Sequence, residues 1–569
     1  MTMAKKIIKS KPLQKASLKK KAKDQVKPKK DLKISKTEKV DKEVKVKKVA
    51  KPKKEKSIEE SLWDAANKLR GTVESAEYKH VVLSLIFLKF ASDRFEERKS
   101  ELILKGQKQY IDQKSFYIKE NVFFLPEISR WSHIIKNSKQ NDISLKIDTA
   151  LHTIEKNNDS LKGALPDNYF SRLNMDLSKL SALLNTIDNI DTLKDKQQDI
   201  VGRVYEYFLS KFALAEGKGK GEFYTPKSIV NLIAEMIEPY KGVIYDPACG
   251  SGGMFVQSMK FIESHNGSKK EVDIHGQEYT GTTYKLAKMN LAIRGITADL
   301  GAVPADTFSK DQHPDLKADF IMANPPFNQK DWRAANELID DPRWMGYEVP
   351  PTSNANYAWI LNMVSKLSEN GVAGFVLSNG ALSGTGEEYK IRKKIIENNL
   401  VEAIIVLPKG MFYTTPISVS LWFLNKNKKA RTTKYNGENK KYRNREREIL
   451  FMDLRQLGEP FEKKYTQFSE ADIKKVTDTF HKWQQVGFEK TYQNIPEFCY
   501  SASFEEVAKK DYILVPSKYI EFVNRDENID FEEKMKILQK DFADLLKAEA
   551  HTKKNLLSVF KDLGYEIKL

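Results

Sequence analysis

Residues 324–327 read Asn-Pro-Pro-Phe, at the end of the apolar run 318–323. Proline has no N–H and fixes its own φ, so a strand that enters this double-proline turn cannot continue its ladder. The turn holds an amide side chain, a carbonyl and an aromatic ring in one stiff geometry. The side-chain oxygen of Asn324 and the carbonyl of Pro325 can each accept one hydrogen of an exocyclic amino group, and the ring of Phe327 offers a face for a planar base. Two acceptors around one –NH2 suit an amino nitrogen that must act as a nucleophile.

A second constellation stands 78 residues earlier, where Asp246-Pro-Ala-Cys-Gly-Ser-Gly-Gly-Met254 follows a short apolar run. Glycines at 250, 252 and 253 permit unusual φ values and close approach of a ligand to the backbone. In α/β sheets such a loop lies at the carboxyl edge of the strands, where ligands bind. Glu278, 25 residues past Gly253, falls at the end of the next strand, where an acid can accept both ribose hydroxyls. The loop opens with an acid, which disfavours a pyrophosphate and suits a cationic ligand with an amino-acid tail. S-adenosylmethionine has that tail, a sulfonium and a ribose. Asp306 precedes the 320–323 strand and stands either at the adenine edge of such a cofactor or as a turn-capping aspartate. Thr225, just before Pro226 at a helix start, is either an N-cap or part of a lid over the methionine moiety.

These residues need a sheet to hold them. Strands are expected at 243–245, 273–277, 320–323, 372–377 and 403–407, with an antiparallel strand at 418–424. Helices are expected at 226–237, 254–264, 281–294, 359–367 and 387–398. This alternation implies a doubly wound, mostly parallel sheet. Before it, 57–215 reads as helical: a capping-box start at Ser57-Ile-Glu-Glu60, then 76–98, 143–156, 177–186 and 198–215. Residues 425–447 are basic and turn-rich and read as an exposed excursion. Residues 531–560 read as an amphipathic helix with Leu538, Phe542, Leu545 and Leu546 on one face, ordinarily core packing and otherwise a surface for a partner. The expected division is a lysine-rich tail at 1–56, a helical domain at 57–215, a catalytic domain at 216–430 and a mixed, partly helical region for subunit contacts at 431–569.

The formal charge of the chain is +18, and residues 1–56 alone hold 23 lysines against six acidic residues. The basicity therefore belongs to the tail, which has too little apolar surface to offset the entropy of folding and reads as disordered. Its lysines either solubilise the chain or attract nucleic-acid phosphates. Two cysteines, Cys249 and Cys499, imply no disulfide framework and fit a reducing, cytoplasmic setting. Neither lies in a Cys/His cluster with metal-ligand spacing, so no metal is expected. No apolar run is long enough to span a bilayer.

Gly221-Glu-Phe-Tyr-Thr-Pro226, Asp246 to Gly253, Gln277-Glu278 and Asn324 to Phe327 occur in that order. Together they resemble the γ-type amino-methyltransferases. Within these, with the N-terminal Glu60-Ser-Leu-Trp-Asp-Ala-Ala-Asn-Lys-Leu-Arg-Gly71, the chain resembles the modification subunit of type I restriction–modification systems over roughly residues 57–560. The resemblance implies a Rossmann-like catalytic domain and N6 methylation of adenine in double-stranded DNA. Glu222, Phe223, Tyr224, Thr225, Pro226 and Lys227, with Asp246, Gly250, Ser251, Gly252 and Gly253, would contact S-adenosylmethionine. Glu278 would meet its ribose and Asp306 its adenine. Asn324, Pro325, Pro326 and Phe327 would hold a target adenine flipped out of the duplex. Cys249 stands where many relatives carry a small residue, and it is given no catalytic role. The resemblance also implies a separate specificity subunit, a second modification subunit, and restriction subunits for cleavage. A solitary or other phage-defence adenine methyltransferase, an RNA or protein-amide methyltransferase, and a non-catalytic DNA-binding scaffold are the alternatives.

Overall fold

The computed structural model describes residues 58–67, 75–173, 175–190, 200–216, 225–412, 416–435, 438–461, 465–523 and 531–562. The tail, Ser57, Gly71 and the expected ligand residues Glu222, Phe223 and Tyr224 lie outside them.

The helical part comprises α1 (Ile58–Asn67), α2 (Ser75–Leu104), α3 (Ser115–Ile118), α4 (Trp131–Lys136), α5 (Ile143–Asn157), α6 (Leu177–Asp188) and α7 (Ile200–Glu216). The buried positions show why these are helices. In α5, Ile143, Ile147, Ala150, Leu151 and Ile154 recur at three- and four-residue steps and form one buried stripe. The Arg203 guanidinium of α7 donates to the Glu59 carboxylate of α1 from Nη2 at 2.7 Å and from Nε at 3.1 Å.

Next come α8 (Lys227–Ile237), β1 (Gly242–Asp246), α9 (Gly253–Ser264), β2 (Val272–Gly276), α10 (Gly281–Ile293), β3 (Ala318–Ala323), α11 (Asn356–Lys366), β4 (Leu367–Ser378), α12 (Glu387–Glu397), β5 (Val401–Val406) and β6 (Val419–Asn425). The remaining strands are a hairpin of β7 (Arg431–Tyr435) and β8 (Glu438–Tyr442), then β9 (Glu448–Asp453), a small hairpin of β10 (Glu459–Phe461) and β11 (Tyr465–Gln467), and β12 (Cys499–Ser503). Helices α13 (Glu470–Gln484), α14 (Phe488–Thr491), α15 (Phe504–Lys509) and α16 (Phe531–Asp562) complete the order.

Eight strands form one sheet in the order β12-β9-β5-β6-β4-β3-β1-β2. The pairs β2–β1, β1–β3, β3–β4 and β5–β9 are parallel, whereas β6 is antiparallel to both β4 and β5 and β12 is antiparallel to β9. Both faces are covered, as a doubly wound sheet requires. One core joins the sheet to α8, α9, α10 and α13, and the other joins it to α11, α12 and α15. Leu286, Met289 and Ile293 of α10 belong instead to the core of the helical domain, so this one helix serves both.

Three features of the C-terminal third depart from expectation or go beyond it. Strands β9 and β12 follow residue 430 and are hydrogen-bonded into the same sheet. Residues 425–447 are not wholly an exposed excursion. Lys428 and Arg445 are buried, and the Arg445 Nε donates to the Glu402 carboxylate of β5 at 2.7 Å. A charged sequence that looks like solvated loop thus folds back because a buried carboxylate awaits it. Finally, α16 does not pack on the core: none of its residues is buried.

Candidate active site

The carboxyl edges of β1, β2 and β3 bring the two sequence constellations together. Tyr245 of β1 pairs with Ile321 of β3, so Asp246 and the turn at Asn324 leave the sheet on the same edge. Beyond β2 the ladder continues into the loop: the Gln277 N–H donates to the Asp246 carbonyl, and the Cys249 N–H to the Gln277 carbonyl, each at 3.0 Å. Gly250 and Gly252 take φ of 54° and 77°, the left-handed region that a side chain would strain. Gly252 caps the N-terminus of α9, which directs backbone N–H groups and a positive helix end into the loop.

Each expected residue of this edge is held by something specific. The Glu278 carboxylate accepts the Gly250 N–H at 3.0 Å through one oxygen and the Thr280 N–H at 2.8 Å through the other. Ser251 presents its carbonyl to the Asn290 side-chain amide of α10 at 2.7 Å. Asp246 is buried and accepts the Ala248 N–H at 3.0 Å. Burial pushes its carboxyl up to about 8, against the pull of that hydrogen bond and with an added push from Glu278. Burial likewise pushes the Cys249 thiol up, so Cys249 is an inert packing residue. Asp306 behaves as a turn cap: one oxygen accepts the N–H groups of Phe308 at 2.9 Å and Ser309 at 2.8 Å. Its segment is nonetheless docked on the site, because the Ala305 N–H donates to the Glu278 carbonyl at 2.9 Å and the Thr307 hydroxyl to the Pro247 carbonyl at 2.6 Å.

Thr225 is not the N-cap of α8. Pro226 occupies the N-cap of α8, and the Thr225 hydroxyl accepts the Asn324 Nδ2 amide at 3.0 Å. The amide is set with its nitrogen toward Thr225. The nitrogen is spoken for, and the oxygen Oδ1 is buried with no hydrogen-bond partner. An acceptor left so costs about 1–3 kcal/mol, which a fold sustains where a ligand donor belongs. Pro325 is buried and Pro326 and Phe327 are half-buried. The Phe327 ring is braced edge-on by Phe412, with centroids 6.2 Å apart.

Several positioning residues carry no signal in the linear sequence. Asn356, fully buried at the start of α11, accepts the Asn328 N–H at 2.9 Å and donates to the Asn328 side-chain oxygen at 2.9 Å. Ser378, at the end of β4, donates to that same oxygen at 2.9 Å. Together they clamp the residue that follows Phe327. Asn290 does the same for the glycine loop. No motif marks them, and only their burial as polar side chains gives them away.

The geometry has counterparts among known proteins. Residues 196–528 match the family model described as N-6 DNA Methylase, and residues 58–190 match the HsdM N-terminal domain. The chain is 44% identical to the HindI methylase subunit of a type I restriction enzyme from Haemophilus influenzae, over 75% of this chain and 94% of that protein. It is 36% identical to the MjaIX methylase subunit from Methanocaldococcus jannaschii, over 89% of this chain and 91% of that one. In fold it is similar to the methyltransferase subunit of a type I restriction–modification system from Streptococcus thermophilus, with TM-score 0.67 at 22% identity, covering 82% of this chain and 99% of the other. With its glycine loop, its paired acids and its Asn-Pro-Pro-Phe turn on one sheet edge, the chain belongs to the N-6 DNA methylase family, among the methylase subunits of type I restriction enzymes.

Proposed function

We propose that this chain transfers a methyl group from S-adenosylmethionine to the N6 amine of adenine in double-stranded DNA, as the modification subunit of a type I restriction–modification complex. The observation that carries the chemistry is the unpartnered, buried Oδ1 of Asn324, whose Nδ2 contacts Thr225. A target amine lies inside the stacked duplex and must be flipped out, at a cost on the order of a few kcal/mol. Stacking on Phe327 offsets part of that cost. Asn324 Oδ1 accepts one N6 hydrogen and the Pro325 carbonyl the other, which turns the nitrogen toward tetrahedral geometry and aims its lone pair. Positioning of this kind carries most of the rate.

The residues present suit the cofactor. Gly250 and Gly252 open a side-chain-free cradle; Asp246, as a carboxylate, would hold a cationic amino-acid tail; Glu278 would meet the ribose hydroxyls; Asp306 would stand at the adenine end. Glu222, Phe223, Tyr224, Thr225, Pro226 and Lys227 would close over it. The cofactor would supply the electrophilic methyl group.

Sequence recognition would come from a separate specificity subunit, in an assembly with a second modification subunit and with restriction subunits. Support comes from α16. Phe531, Met535, Leu538, Phe542, Leu545, Leu556 and Val559 fall on the a and d positions of one heptad register and are exposed. Such a stripe fits a partner helix in a coiled coil.

The deciding experiment is transfer of labelled methyl from S-adenosylmethionine to duplex DNA, by this chain alone and with the specificity subunit. Label on adenine N6 only with both chains is the expected result. Activity of this chain alone would overturn the division of labour, and no label on DNA in either case would overturn the substrate.

A further inference from the structure

Away from the motifs, three side chains that are remote in sequence meet beside β2. His275 lies in β2, Asp299 makes a one-residue parallel bridge with it, and His313 closes the segment that follows. Asp299 Oδ2 lies 3.9 Å from His275 Nδ1 and 4.0 Å from His313 Nδ1. We propose that His275, Asp299 and His313 bind one divalent transition-metal ion, zinc by preference, which staples residues 299–313 to β2. This inference stands independently of the methyl-transfer reading.

The hydrogen bonds select the neutral tautomer of each ring. His275 Nε2 lies 3.0 Å from the Asp273 carboxylate, and His313 Nε2 lies 2.8 Å from the Gly276 carbonyl. Both partners are acceptors, so a neutral ring carries its hydrogen on Nε2 and turns its Nδ1 lone pair inward. Asp299 Oδ2 is an acceptor as well. Three lone pairs therefore converge within 4.8 Å of one another, and His275 Nδ1 is buried with no hydrogen-bond partner. Facing acceptors repel unless a proton, a water or a cation joins them.

The surroundings match those of metal ligands. A ligating histidine ordinarily donates its other N–H to a carboxylate or carbonyl, which sets tautomer and ring orientation; here Asp273 and Gly276 do so. The far oxygen of Asp299 accepts the Gly301 N–H at 2.9 Å, so all three ligands are oriented from behind. The His313 ring is wedged between His275 and Tyr245, with centroids 5.4 Å and 5.9 Å away. Two atoms each about 2.1 Å from one tetrahedral zinc ion lie about 3.4 Å apart, so the histidine–aspartate separations of 3.9 Å and 4.0 Å require the three side chains to close in on the ion as it binds. Two imidazoles disfavour magnesium and calcium and suit zinc, cobalt or nickel. The remaining position is open to water.

The staple has something to hold. Between Asp299 and His313 lie Ala305, whose N–H and carbonyl engage Glu278 and Gln277, and Lys310, whose carbonyl accepts from Gln277 at 2.8 Å. The ion would fix this segment to the end of β2.

The test is titration of the full, untagged, EDTA-stripped chain with Zn2+ against a chromophoric chelator, together with the visible spectrum of the Co2+ form. One equivalent bound by the wild type is expected, with affinity reduced at least ~100-fold in both H275Q and D299N. Asp299 is exposed and the D299N amide keeps an acceptor for Gly301, so that variant retains the fold; unaltered thermal melting of the metal-free variants checks this. The Co2+ form should show d–d bands that D299N lacks. No binding by the wild type, or equal binding in both variants, would overturn the proposal and leave a water donating to these acceptors.

Discussion

Asn324 is the residue on which catalysis should turn, and its environment separates chemistry from binding. Asn324→Ala removes the acceptor for N6 and leaves the glycine loop intact. We expect the rate to fall roughly 100-fold or more, the scale for loss of one preorganised polar group, with S-adenosylmethionine affinity unchanged by calorimetry. Retained methylation would sink the assignment. Thr225→Val loses only the hydrogen bond that orients Asn324, a defect of about 1 kcal/mol, and a several-fold drop in kcat is expected. Asp246 supplies the pH dependence. Its carboxyl titrates at about 8 in the free protein because it is buried, so it is mostly protonated at neutral pH. A cationic ligand favours the carboxylate, so affinity should rise as pH climbs toward about 8 and flatten above it. Calorimetry in buffers of different ionisation heat should detect close to one proton released per cofactor near pH 7; a flat profile without proton release would contradict this. The sign for stability is opposite. The folded carboxyl binds its proton more tightly than the unfolded one, so the ligand-free fold loses stability between about pH 4 and about pH 8.

At the scale of elements, the site depends on where strands stop. Asn324 is presented because two prolines end β3, and the glycine loop because Asp246 ends β1 beside it. Gly252→Ala tests the second of these. Its φ of 77° is left-handed, and a Cβ there would stand 3.4 Å from the Leu291 Cγ. The strain is about 1–2 kcal/mol, so a drop in Tm of several degrees and weaker cofactor binding should appear together, with the rate at saturating cofactor little changed. An unchanged cofactor affinity would show that the loop backbone does not set the cradle. The elements themselves were largely legible. Because these periodicities are local, alternating apolar runs and helical stripes over 242–425 placed every strand and α-helix of that stretch, though β4 begins at Leu367 rather than 372 and the short 3-10 helices were not foreseen. The strand after Ala403 was legible too, and so was the antiparallel hand of β6. The clamps at Asn290, Asn356 and Ser378 were not, because a buried asparagine is unremarkable until its partner, tens of residues distant, is known.

For the molecule as a whole, the C-terminal third holds a buried ion pair and the exposed helix proposed for subunit contact. Arg445 and Glu402 are both fully buried and paired, with the Gln484 amide also donating to Glu402 at 3.1 Å. Burial alone would raise the Glu402 carboxyl, yet Arg445 and Lys428 hold it below its ordinary range. Arg445→Met strands that carboxylate, and a loss of roughly 3–5 kcal/mol is expected, read as a fall in the urea midpoint; pairing it with Glu402→Leu should recover most of the loss, and no recovery would show that packing rather than charge was at stake. The exposed stripe of α16 makes a different prediction. Deleting 531–562 should leave cofactor binding and Tm nearly untouched, because no residue there is buried, while abolishing co-elution with the specificity subunit. Co-elution of the truncated chain would move the contact to the helical domain.

The linear sequence settled what is local or carried by motif. The Asn-Pro-Pro-Phe turn, the glycine loop, the acid after β2, the helical start and the α/β alternation are all set by backbone propensities within a few residues, and together they pointed to the family. Tertiary structure decided what depends on pairing across the chain. It brought Thr225 to Asn324 across 99 residues. It drew Arg445 and Lys428 inward to Glu402, set β9 and β12 into the catalytic sheet, and joined His275, Asp299 and His313. Charge and spacing along a chain carry no record of which distant group will share a buried site, because that is fixed only when strands find their register.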